Sequence, residues 1–316
     1  MAKKGDKKRP KNTAAPAGRT RNLTKKQQRT KARQRTRQRK PLIGSFRLAW
    51  RSIKTIASNW KTLGGIVLVY LILNIIFSSV ISDINSSFSD IKSNLQIDGG
   101  HGLWRAAGGF AALVGTSGAS GSATGSALQS VLFVIASLTI IWALRHLLSG
   151  QRVFIKQAYY SSMTPLIPFL LVIAVMIIQL LPVTIGGTVL ATVSSSVFND
   201  SGLATALTAI FFALLAAWSL YMVSASVFAA YIVTLPDMQP RQALRSAKDL
   251  VRFRRLIVIR RVLFLPLFVF IVMAAVIVPL ILYASAAVPW VFYVLSMIAI
   301  LFAHTYLYSL YRGLLE

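Results

Sequence analysis

Residues 62–82 read TLGGIVLVYLILNIIFSSVIS, 21 consecutive uncharged positions between Lys61 and Asp83. As a helix rising ~1.5 Å per residue they just cross a hydrocarbon layer ~30 Å thick. The stretch reads as a membrane span. On its N-terminal side the sequence changes character, because the first 61 residues hold 21 of the chain's 35 Lys and Arg, one acid, and no aromatic residue before Phe46.

The rest of the 316-residue chain extends this reading, since 55% of it is hydrophobic and its mean hydropathy is +0.62. Working outward from the first span, hydropathy and turn residues place five more, at about 128–148, 165–185, 203–235, 262–284 and 289–311. The third is expected to end near Ile185, where Pro182 and the Gly186-Gly187 pair precede a Thr- and Ser-rich run. The fourth ends at Pro236, and Ser285-Ala286-Ala287-Val288-Pro289 is the expected turn between the last two. The expected fold is all-α: about six transmembrane helices, amphipathic helices on the cytoplasmic surface, and a disordered basic tail over residues 1–41. A cleavable signal would place its apolar run earlier, and the tail has no amphipathic face of the kind an organelle transit peptide forms.

Charge sets the orientation. With the N-terminal segment cytoplasmic, 33 of the 35 basic residues fall on that side and only Lys92 and Arg105 on the other. Residues 237–261 alone carry eight basic side chains against two acids, so the bias survives removal of the tail. Both ends of the chain are expected on the cytoplasmic side of a prokaryotic membrane. Trp60, Trp142, Tyr306, Tyr308 and Tyr311 near inner boundaries, and Trp104 and Trp290 near outer ones, agree with the aromatic belts of membrane proteins.

A basic amphipathic segment precedes each odd-numbered span, at GSFRLAWRSIKTIASNWK, QRVFIKQAYYSS and PRQALRSAKDLVRFRRLIVIRR. In the first, Phe46, Trp50, Ile53 and Ile56 or Trp60 recur at helical spacing, with Arg47, Arg51, Lys54 and Lys61 off that stripe. Setting residues 50–54, WRSIK, against residues 244–248, LRSAK, aligns apolar, basic, serine and basic positions and suggests a repeated unit of surface helix plus transmembrane hairpin. Convergence on the needs of membrane-surface helices would produce the same match.

Residues 229–255, AAYIVTLPDMQPRQALRSAKDLVRFRR, carry a further signal. Leu235-Pro236-Asp237 followed by Ala243-Leu244-Arg245-Ser246 resembles a cytoplasmic segment of bacterial polytopic proteins related to the membrane domain attached to some glycerophosphodiester phosphodiesterases. That resemblance implies a six-span layout and no activity, because in those proteins the phosphodiesterase chemistry belongs to a separate soluble domain.

Catalytic candidates are sparse. Acid–base or two-metal chemistry needs converging carboxylates or imidazoles, and seven Asp, one Glu and three His are scattered over both sides of the predicted membrane. Asp98-Gly-Gly-His101 is the one metal-like pair, and two ligands in a glycine turn read better as a solvated loop. Zero cysteines exclude thiolate catalysis and thiolate metal sites. The chain is expected to be non-enzymatic and without cofactor. No charged residue sits within a span core, which leaves Asn74, Gln179 and His304 as intramembrane polar groups, read as interhelical hydrogen-bonding residues ahead of substrate ligands.

The expected partner is the anionic phospholipid bilayer, met by Arg33, Arg35, Arg37, Arg39 and Lys40 of the tail and by Arg47, Arg51, Lys54, Arg245, Lys248, Arg252, Arg254 and Arg255 of the surface segments. RNA or a ribosome bound through the tail is the alternative partner. The expected role is a membrane scaffold or assembly module, with a permease component or a nucleic-acid tether as alternatives. Outside the membrane, residues 102–115, GLWRAAGGFAALVG, are too short to span and are expected to lie at the interface or re-enter.

Overall fold

The computed structural model describes residues 43–77, 88, 91–93, 108–111, 113–114, 123–197 and 202–315. Among the described residues the long elements are nine α-helices, and there is no strand. They are α1 (Ser45–Ser58), α2 (Trp60–Phe77), α3 (Ala123–Leu148), α4 (Ile155–Ser162), α5 (Leu166–Val197), α6 (Gly202–Ile232), α7 (Pro240–Val251), α8 (Arg255–Tyr283) and α9 (Val288–Leu315), with a short 3-10 turn at Ser285–Ala287 before α9. Six of them, α2, α3, α5, α6, α8 and α9, are long and apolar enough to cross a membrane. The residues of the basic tail, and the Asp98–His101 pair, lie outside the described residues.

The helices fall into three units of the same plan: a short helix, then a two-helix hairpin. A buried row in each short helix ends four residues before the hairpin begins, at Ile56 before Trp60, Ser162 before Leu166 and Val251 before Arg255. One turn earlier the buried residues are Ser52, Ala158 and Ala247. A row spaced by four residues runs along one side of a helix, so each short helix has one side committed to protein.

That side always packs on the preceding hairpin. Helix α4 packs on α2 and α3, α7 packs on α5 and α6, and α1 packs on α9, the last helix of the chain. The three units therefore close into a ring by a cyclic exchange of short helices. Helix α4 is seated most tightly at Gly65, where an added methyl would run into Cδ1 of Ile155. The Tyr159 hydroxyl donates to the Ile66 carbonyl at 3.0 Å in the same contact. Burial, with Tyr70 nearby, pushes the Tyr159 hydroxyl up to about 12, so it stays protonated and remains a donor at neutral pH. Gly65→Leu should lever α4 off α2 and cost about 1–3 kcal/mol in unfolding measured in bicelles. Gly65→Ala should cost less, since the end of the Ile155 side chain can rotate away.

One sequence expectation is corrected here. Helix α5 does not stop near Ile185 but continues through Pro182, Gly186 and Gly187 to Val197. The glycines make no turn; they lie against α6, where a Cβ at Gly186 would meet Leu215 and one at Gly187 would come 3.0 Å from Phe212. In a membrane, where helices gain little from hiding apolar surface from lipid, small residues mark close helix contact.

Helix α1 carries the expected stripe on its exposed side, with Ile56 turned inward. Phe46, Trp50, Ile53 and Trp60 face away from the protein, while Leu48, Ala49, Ser52 and Ile56 face it. Arg47, Arg51 and Lys54 occupy a third face and are exposed, as is Lys61 at the start of α2. At ~100° per residue these are three faces about a third of a turn apart, suited to protein, lipid and water.

Residues 102–115 are described in part. Phe110 is buried with its ring centroid 5.5 Å from that of Phe270 and 6.5 Å from that of Phe292. Val114 lines a cavity of about 250 Å³ together with Leu265, Pro266 and Ala303. Leu265 and Pro266 lie only four and five residues past Arg261 on α8, so the described part of this segment re-enters among the spans and does not rest on their outer ends.

Candidate functional site

The ends of the six long helices that carry Arg145, Arg255 and Arg312, together with α1, α4 and α7, form one strongly basic end of the bundle. Of the surface residues singled out from sequence, Arg47, Arg51, Lys54, Arg245, Lys248 and Arg252 are exposed, and Arg254 and Arg255 are half-buried. Arg255 lies over the ring of Tyr221 on α6, 4.3 Å from its centroid, which ties the start of α8 to its neighbour by a cation–π contact. Arg33, Arg35, Arg37, Arg39 and Lys40 lie outside the described residues.

Burial sets the register between α1 and α7. It pairs Ser52 with Ala247 and Ile56 with Val251, one residue away from the sequence match of Ser52 with Ser246. In the structural register Phe46, Trp50 and Ile53 of α1 correspond to Arg241, Arg245 and Lys248 of α7. With Arg252 these make an exposed basic row at i, i+4, i+7 and i+11 along one side of α7. Where α1 presents aromatic and aliphatic side chains, α7 presents cations. Arg241 was missed in the sequence reading, although the row is visible in the spacing once Ala243, Ala247 and Val251 are known to face inward.

The intramembrane polar residues have defined surroundings. His304 is the junction of three helices: Nδ1 lies 3.2 Å from the Tyr231 hydroxyl of α6 and Nε2 lies 3.1 Å from Ser137 Oγ of α3. Tyr231 is almost fully buried and stacks on Tyr311, with ring centroids 6.3 Å apart. Gln179 accepts a hydrogen bond of 2.8 Å from Ser226 Oγ, joining α5 to α6. Asn74 is buried and donates through Nδ2 to the Tyr70 carbonyl of its own helix.

Arg145 extends this network to the basic end. Its guanidinium donates to the Thr234 carbonyl at 2.7 Å, to Thr234 Oγ1 at 2.6 Å and to the Tyr231 carbonyl at 3.4 Å. These carbonyls belong to the last turn of α6 and the residues just past it, which have no intrahelical donors of their own. A cation placed there satisfies them and complements the negative end of the helix dipole. In the sequence reading Arg145 counted only as a topology marker.

Beside Arg145 the basic end opens into a cavity of about 690 Å³ walled by Trp142, His146, Thr164, Pro168 and the loop Val233–Pro240. Trp142 and His146 stack with centroids 3.9 Å apart, and His146 Nδ1 donates to the Trp142 carbonyl at 2.9 Å. Asp237 in the loop has φ 58, a left-handed conformation that Asp tolerates better than most residues. It makes the bend after Pro236 that returns the chain to Pro240, the first residue of α7, where proline's missing N–H costs nothing.

These features define a polytopic, all-helical membrane protein with one basic end. No protein-family model, curated protein or solved structure matches the chain.

Proposed function

We propose that the protein is a non-enzymatic scaffold of a prokaryotic cytoplasmic membrane, with its basic end and both chain ends on the cytoplasmic side, and that this end gathers anionic phospholipid. The observation that carries the proposal is the row Arg241, Arg245, Lys248 and Arg252. It occupies the side of α7 that corresponds to the lipid-facing side of α1, so it points along the membrane surface toward headgroups. A basic residue near an anionic surface contributes ~1 kcal/mol, and a row of four acts together.

The geometry around Asn74 and Gln179 supports a scaffold over a permease. Both are engaged within the bundle, and neither borders the cavities of about 690, 370 and 250 Å³. The resemblance of residues 229–255 to a phosphodiesterase-associated membrane domain is consistent with the same role, because that domain is the non-catalytic part of those proteins.

The test is lipid enrichment in nanodiscs of mixed phosphatidylglycerol and phosphatidylcholine, read by energy transfer from tryptophan to labelled lipid. The wild-type chain should enrich phosphatidylglycerol, and the quadruple variant R241Q/R245Q/K248Q/R252Q should lose most of that enrichment, on the order of tenfold at low salt. Equal transfer to both lipids in the wild type would sink the proposal. Salt-sensitive RNA binding that disappears when residues 2–40 are deleted would favour the tether reading instead.

A further inference from the structure

The ring of short helices is uneven at one place. Helix α4 closes on both helices of the hairpin before it, and so does α7, but α1 packs mainly on α9 and makes no comparable contact with α8. The space left between α1, α8 and α9 is a cleft of about 370 Å³, within the ~300–1,000 Å³ range of small-molecule sites. Its wall is wholly apolar, with Ile53 from α1, Trp60 from the start of α2, Phe268 and Met273 from α8, and Ala299 and Phe302 from α9. Ile53 and Trp60 are 41% and 52% exposed, so the cleft opens outward along the lipid-facing side of α1. A second apolar space of about 250 Å³, also bordered by Val269, Met273 and Ala299, runs beside Pro266, so α8 is loosely packed against α9 at this level.

We propose that this cleft holds an acyl chain of a membrane phospholipid, retained as a structural part of the protein. The occupant follows from the surroundings. The mouth lies on the face of α1 turned to lipid, and exposed Lys54 and Lys61 flank Ala57 and Trp60 at its rim, where a phosphate headgroup would sit. Met273 is twelve residues from Arg261, about 18 Å along α8, so the cleft runs from the headgroup level to mid-membrane as an acyl chain does. The tail is a poor occupant, because Met1 and Leu23 are its only large apolar side chains before Pro41. The chain-binding half of this proposal rests on α1 lying at the membrane surface; the preference for an anionic headgroup rests on the scaffold reading above.

The test uses the full chain in nanodiscs doped with phospholipid bearing a diazirine at mid-chain, one arm with phosphatidylglycerol and one with phosphatidylcholine, followed by peptide mapping. Crosslinks should concentrate on residues 268–273 and 295–302, well above those on outward-facing positions such as Ile178 and Leu214. Ala57→Phe sits on the exposed side of α1, away from its contact with α9, and should reduce the focal labelling roughly fivefold by filling the mouth. Labelling no stronger in the cleft than at Ile178 and Leu214, with both lipids, would overturn the proposal. Focal labelling with both lipids alike would uphold the cleft while removing the headgroup preference, so the two readings fail separately.

Discussion

His304→Ala is expected to lower the stability of the bundle by about 2–4 kcal/mol, the lower part of the range for truncating a large side chain, because His304 is only partly buried. The site is the one described place where a single side chain reaches across from α9 to both α6 and α3. Two effects contribute, and their sizes can be separated. Interhelical side-chain hydrogen bonds within membranes are worth about 0.6 kcal/mol on average and about 1.7 at most, so the two bonds of His304 account for the smaller part. The larger part is the cavity left between three helices. His304→Leu, which restores volume but no hydrogen bond, should therefore cost about 1–2 kcal/mol and less than the alanine variant. Unfolding by steric trapping in bicelles would read both, and a leucine variant as unstable as alanine would show that the polar junction, not its packing, holds the helices.

Arg145 gives the second large effect. Arg145→Met keeps most of the side-chain stem but removes the donors to Thr234 and Tyr231, and should cost about 1.5–3 kcal/mol, the usual worth of hydrogen bonds to a charged group. Lysine should recover less than half of that, because a point charge cannot match three acceptors held by a planar fork. The loss should also have a local signature. Amides of residues 233–239, which the guanidinium fixes at the end of α6, should exchange faster in the methionine variant, while those of α2, away from that contact, should be unchanged. A methionine variant with native stability and unchanged exchange would show that solvent caps α6 equally well.

The three-unit plan was legible because two signals agree on it: apolar length fixes the spans and basic residues mark one end. What could not be read was which apolar surface meets protein. Phe46, Trp50 and Ile53 form the conspicuous stripe on α1 and face outward as a membrane-surface helix requires, but that stripe does not announce the buried side of Leu48, Ala49, Ser52 and Ile56. In water a strong apolar stripe points to the core, but at a membrane surface lipid takes it equally well. The same ambiguity turned Gly186 and Gly187 into a supposed turn, when they are a contact surface. It also shifted the match between α1 and α7 by one residue, since conspicuous charges such as Arg51 and Arg245 are exposed and carry no packing constraint. Small buried residues such as Ser52 and Ala247 do carry it. Likewise the Arg145 network joins residues about 90 positions apart, which no local pattern announces.

The cyclic exchange of short helices has a temporal side. Helix α4 finds α2 and α3 already made, and α7 finds α5 and α6, but α1 emerges first and its partner α9 begins only at Val288. At ~5–20 residues per second, the 243 positions between Ser45 and Val288 correspond to roughly 10–50 seconds of translation. During that interval the side of α1 bearing Leu48, Ser52 and Ile56 lacks α9, its main partner among the described residues. The arrival of α9 supplies that partner, so the seat of α1 is completed last.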